Sequence, residues 1–116
     1  MDKHYKLPGK QIAALAGGYG GCIASKKITV EGYPVRFMYR EETDDGADSG
    51  WRFMSAFEND DYLDDAGNFG FYSVNTIANY DPSIIPFLDG PAGSVFEKTS
   101  QSERFLAVAG WAIFDD

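Results

Sequence analysis

The chain has 116 residues, 44% apolar and 16% aromatic, with a formal charge of −8 and a pI near 4.4. That length holds one domain, residues 1–116, with its own core, and the apolar content excludes a disordered chain. The acidic balance excludes nonspecific nucleic-acid binding and attachment to anionic membranes, because both need surplus Lys and Arg. It is compatible with a basic partner, and equally with charge that only maintains solubility.

The first 19 residues read as a mobile amino-terminal segment. Within it Pro8 is placed to start a short helix with Ile12, Ala13, Leu15 and Ala16 on its apolar face, stopped by Gly17-Gly18. The run IAALAG is too short and too Gly-interrupted for a signal peptide. No stretch reaches the length of a membrane span. A single cysteine, Cys22, permits no intrachain disulfide, so a cytoplasmic protein is expected. The glycine run GGYGG lacks the Lys-Ser/Thr of a phosphate loop and is followed by a strand pattern, which argues against a phosphate cradle.

Residues 22–30, CIASKKITV, read as a first strand with a bulge near Lys26-Lys27, closed by a turn at Glu31-Gly32. Residues 33–40 and 50–57 alternate with period two, the signature of half-buried strands. This parity places Val35, Phe37, Tyr39, Trp51, Phe53 and Phe57 in one core, with Arg36, Arg40 and Arg52 on the opposite face. Tyr62 and Leu63 suit one helical turn, and residues 69–74 suit a fourth strand. Residues 75–88 read as a helix broken at Asp81-Pro82, where Asp81 caps the second piece and Pro82 opens it. Residues 95–98 and 105–109 complete the strands, and the apolar ending Trp111–Phe114 suits an edge strand. The expected fold is therefore α+β: a mostly antiparallel twisted sheet of five to six strands, one broken helix and a short amino-terminal helix.

Two acidic segments interrupt this pattern. They hold Glu41, Glu42, Asp44, Asp45 and Asp48, then Glu58, Asp60, Asp61, Asp64 and Asp65, and Arg52 is the single basic residue between Glu41 and Asp65. Carboxylates this dense are too costly to bury, so both segments should stand in water. They form the candidate partner-binding surface, with Trp51 and Tyr62 as aromatic anchors at its margin. The bland alternative is that the carboxylates fold back onto the sheet arginines, in exposed pairs worth ~0–1 kcal/mol each.

Catalysis lacks equipment. His4 is the only histidine, so a Ser-His or Cys-His pair would depend on a terminal residue. Zinc lacks ligands, and the acidic spacing fits no EF-hand. No cofactor and no resident metal are expected. A carboxylate-metal enzyme built on Asp60–Asp65 stays open as a weaker reading, as does a small-ligand or peptide-binding module with a pocket of Trp51, Tyr72 and Tyr80.

The motifs MYRE, DSGWRF and VNTIANYDPSIIP occur in this order within residues 20–98. There the chain resembles the immunity protein 33-like family, a domain also catalogued as of unknown function. The resemblance implies an α+β fold and a cytoplasmic antidote of a bacterial polymorphic toxin system. Such a protein would neutralise a cognate toxin by direct binding. It supplies no catalytic residues. A basic toxin such as a nuclease would suit the acidic surface.

Overall fold

The computed structural model describes residues 13–98 and 105–107. Six strands form one mixed sheet in the order β4-β1-β3-β2-β5-β6. They are β1 (Gly21–Ser25), β2 (Phe37–Arg40), β3 (Asp48–Met54), β4 (Phe69–Ser73), β5 (Val95–Glu97) and β6 (Leu106–Ala107). The central pairing, β1 with β3, is parallel, and the other pairings are antiparallel. The expected sheet is thus found with one parallel exception. The helical part comprises the single turns α1 (Lys26–Thr29) and α2 (Asp60–Leu63), a 3₁₀ turn over Ala66–Asn68, the helix α3 (Val74–Tyr80) and a 3₁₀ helix over Pro82–Phe87.

The break between the last two helices follows from its residues. Ser73 caps α3 by accepting the Thr76 N–H, 3.0 Å. Asp81 ends α3 in an extended conformation, caps the next helix through the Ser83 N–H, and Pro82 occupies the first turn. Asp81 does more than cap. Its other carboxylate oxygen accepts the Val35 N–H at 2.9 Å and lies 3.6 Å from the Lys98 ammonium. One nearly buried carboxylate therefore ties the helical layer to the strand before β2 and to the end of β5.

Helical and sheet residues meet in one core. Cys22 and Ala24 of β1, Met38 of β2, and Trp51 and Phe53 of β3 pack against Val74, Ile77, Ala78, Ile84 and Leu88. The Trp51 indole N–H donates to the Leu88 carbonyl, 3.2 Å, and the Arg40 guanidinium lies 5.7 Å over the indole ring.

Four local expectations are corrected. The strand expected over residues 22–30 ends at Ser25, and Lys26–Thr29 is helical. Ser25 caps this turn by accepting the Lys27 N–H, which lets Ile28 and Thr29 reach the core. In β2 the buried residue is Met38, while Phe37 and Tyr39 lie half-buried on the other side. Val35 is buried as expected, but it precedes the strand, so the two-residue period does not run through it. Phe57 lies beyond β3 and is 59% exposed. The amino-terminal helix is not found over residues 13–20, which form bends and turns, and its start at Pro8 lies outside the described residues, as does the edge strand expected at Trp111–Phe114.

Candidate functional site: an open sheet face between two acidic ends

Strand registers determine what each face of the sheet carries. Pairing of Ile23 with both Phe71 and Arg52, of Arg52 with Tyr39, and of Met54 with Phe37 puts these six side chains on the face away from the core helices. Phe71 is 57% exposed. Arg52, in the middle, is nearly buried because its neighbours cover its stem and two carboxylates hold its head. Its Nε donates to Glu41 at 2.9 Å, and its Nη atoms both donate to Asp48 at 3.0 Å.

This clamp explains the local charge states. The Arg52 guanidinium bonded to Asp48 holds that carboxyl below its usual range, against the opposing effect of burial. Burial opposes the Arg52 charge, but Asp48 and Glu41 outweigh it and raise its pKa. Gly50 makes the approach possible. It sits at φ +92°, and a Cβ there would strike the Glu41 carbonyl.

The two acidic segments lie at opposite ends of this face. The seven-residue β3 separates them by roughly 20 Å. At the first end residues 41–47 are exposed. Glu41 and Asp48 are spent on Arg52, and Asp45 accepts the Ala47 N–H at 2.9 Å within the loop. Glu42 and Asp44 make no side-chain hydrogen bond or ion pair among the described residues.

At the second end Glu58 is structural. It accepts from the Ser55 N–H (2.9 Å), the Ser55 hydroxyl (2.7 Å) and the Ala56 N–H (3.0 Å). Burial pushes its pKa up, but hydrogen bonds from Ser25 and Ser55 prevail and leave it lowered. These bonds hold Ala56 at φ +75°, a conformation that costs a non-glycine residue about 1 kcal/mol or more. Asp65 accepts the Gly67 N–H and starts a 3₁₀ turn. Tyr62 is half-buried: its ring packs edge-on to Phe69, and the Lys27 ammonium lies 4.8 Å from the ring centre. Asp60, Asp61 and Asp64 are exposed and unpaired among the described residues.

One expected anchor is corrected outright. Trp51 has no exposed surface and belongs to the core. A residue at even parity with Phe53 on a strand covered by helices has no path to a partner. The exposed aromatics that residue patterns did not single out lie elsewhere. The Tyr33 and Phe57 rings lie tilted with centroids 4.9 Å apart, 40% and 59% exposed, and Phe57 directly precedes the second acidic segment. Near them a cleft of about 280 Å³ opens between Phe37, Met54 and Leu63, with Glu58 and Glu97 also lining it. The signal for Phe57 was its place two residues past a serine and just before an acidic run, where a strand gives way to a turn.

Among the described residues Cys22 is the one thiol, and it is fully buried. Burial pushes the Cys22 thiol up to about 12, so it stays protonated and un-nucleophilic. Iodoacetamide at pH 8 is expected to leave Cys22 unmodified in the folded protein and to alkylate it in denaturant, read by intact-mass spectrometry. Trp51 is packed, and the Tyr72 and Tyr80 hydroxyls both bond Thr29, so these three rings do not form the ligand pocket that the alternative reading requires. Among the described residues no three His, Cys, Asp or Glu side chains are grouped to hold a metal ion, and no helix is long and apolar enough to cross a membrane.

Among the described residues, fold and surface together define a small α+β domain with α3 and the following 3₁₀ helix packed on one face of a mixed sheet and the other face lying between two acidic ends. The chain belongs to the Imm33 family: the model of the immunity protein Imm33 domain matches residues 22–109, more than half of its length. That membership gives it a toxin-neutralising immunity role, and immunity proteins are generally non-catalytic. No curated protein and no solved structure matches the chain.

Proposed function

We propose that the protein is a cytoplasmic antidote that binds its cognate toxin through the open sheet face and the acidic ends beside it, without catalysis. The toxin presents a cationic surface, as a nuclease does in its substrate groove. The observation that carries this reading is the set of carboxylates left unspent. Glu42, Asp44, Asp60, Asp61 and Asp64 face water without a partner among the described residues, while the other carboxylates at both ends hold local structure. Unpaired charge of one sign at both ends of an apolar face steers a basic protein and orients it before the apolar surfaces meet. The paired Tyr33 and Phe57 rings supply aromatic surface of the kind that carries binding energy at interfaces.

The test uses the cognate toxin domain, sought first in the reading frames adjacent to this gene. Changing Asp60, Asp61, Asp64 and Asp65 to Asn keeps the side-chain oxygen that caps the 3₁₀ turn while removing four charges. The association rate at low salt is expected to fall about tenfold or more, and the difference should vanish near ~1 M salt, where charges are screened beyond about 3 Å. The dissociation rate should change far less. An association rate equal to that of the unaltered protein at low salt would remove this acidic end from the mechanism. Absence of any complex would remove the antidote reading itself.

A further inference from the structure

Among the described residues strand β4 is the edge of the sheet beyond β1, and it has none of the usual guards against pairing with another chain. Its sequence, FGFYS, contains no charge and no proline, and its ladder with β1 runs without a bulge from Ser73 to Phe69. At the opposite edge the described part of β6 is Leu106–Ala107.

The direction of the β4 backbone groups follows from its ladder. The Val74 N–H donates to the Gly20 carbonyl at 2.8 Å, and the Gly21 N–H turns the other way, to Ala47 on the β3 side, at 2.7 Å. In an antiparallel ladder, bonded and non-bonded pairs alternate. Tyr72 with Cys22 and Gly70 with Ala24 are therefore bonded pairs, and Phe71 faces Ile23 as a non-bonded pair. The Phe71 N–H and C=O consequently point out of the sheet, as does the Ser73 N–H. No described loop or helix residue bonds the Phe71 groups. The Phe71 side chain, 57% exposed, stands on the open face beside a cleft of about 370 Å³ lined by Ile23, Ala66, Phe69, Gly70 and Phe71.

We infer that the toxin adds a strand to the β4 edge: an extended segment bonds the outward Phe71 and Ser73 groups, sets an apolar side chain beside Phe71 over the cleft, and carries Lys or Arg where it passes Asp64. This rests on the toxin-binding reading above and names the contact. Charge selects the occupant. A second copy of the chain brings a further −8 to an edge that already follows Asp64 and Asp65, whereas a cationic segment is attracted there. Strand addition gives affinity through main-chain bonds and specificity through alternate side chains, without a deep pocket.

The experiment is amide hydrogen exchange on the complex with the cognate toxin domain, together with two substitutions. Phe71→Pro removes the outward N–H, which bonds nothing in the sheet, and Phe71→Thr removes the ring but keeps that N–H. The expected results are slowed exchange at Phe71 and Ser73 in the complex, and affinity weakened roughly 10- to 100-fold by Phe71→Pro, more than by Phe71→Thr. If the toxin binds and exchange at these two amides is unchanged, strand addition is wrong while the antidote reading stands. The exchange result uses the unaltered chain, so it holds even if the proline variant does not fold. If no complex forms, both fail. A concentration-dependent dimer that protects the same amides without toxin would overturn the choice of partner in favour of self-pairing.

Discussion

Replacing Trp51 by Ala is expected to lower stability by about 3–5 kcal/mol, seen as a urea midpoint reduced by roughly 2 M. The indole is fully buried between the sheet and the helical layer, stacks at 6.1 Å on Phe53 and 6.3 Å on Phe96, and spends its N–H on the Leu88 carbonyl. Truncation opens a cavity and leaves that buried carbonyl without its donor. Domains of this size are stable by only about 5–15 kcal/mol, so the variant sits near the point of unfolding. Trp51→Phe separates structure from binding. It retains most of the packing, and toxin affinity should be unchanged. A large loss of affinity in a well-folded Trp51→Phe would return this residue to the interface.

Arg52→Met should cost about 3–5 kcal/mol, and it should reverse the response of stability to acid. In the natural chain the Asp48 carboxyl is held below its unfolded value of about 3.9 by the Arg52 guanidinium. A depressed folded pKa means a contribution present in full above the unfolded value and lost as pH falls through the folded one. Unfolding followed from pH 6 downward should therefore show this stabilisation draining away below about pH 4. Without Arg52, Asp48 keeps its burial, with a side chain only 12% exposed, and loses the cation that compensated it. Its folded pKa then rises above the unfolded one, and the variant gains stability from this group as pH falls toward that value. Adding Asp48→Asn should recover part of the loss at neutral pH, since Asn can still accept the Gly50 N–H bond made by Asp48. Equal acid profiles for Arg52→Met and the natural chain would show that the clamp contributes nothing.

The clamp also marks where reading residues in order reaches its limit. Five carboxylates between Glu41 and Asp48 look like one loop with one role. Arg52, four residues after Asp48 on the strand, takes Glu41 and Asp48, the Ala47 N–H takes Asp45, and only Glu42 and Asp44 make no side-chain bond among the described residues. Glu58 shows the same division at the second end, where three donors from Ser55 and Ala56 converge on it. Net charge is additive along a chain, but whether a carboxylate is spent depends on donors that folding brings near it.

Capping chemistry was legible because it is local. Asp81-Pro82 breaks the helix where a carboxylate followed by a residue without an N–H must break it, and Ser73 starts α3 for a related reason. Local rules failed at Lys26–Thr29, where β-branched residues favour a strand but the core accepts Ile28 and Thr29 from a helical turn.

By itself the sequence determined an α+β domain with most of its turn and cap positions, an acidic net charge, and membership of an immunity family through ordered motifs. Only the tertiary structure decided which sheet face the helices cover. Both faces of β2 carry apolar residues, so alternation could not choose between Met38 and the pair Phe37 and Tyr39. The same choice sent Trp51 into the core and left Phe71 on an open edge, because a face is buried by whatever packs upon it and not by its own pattern.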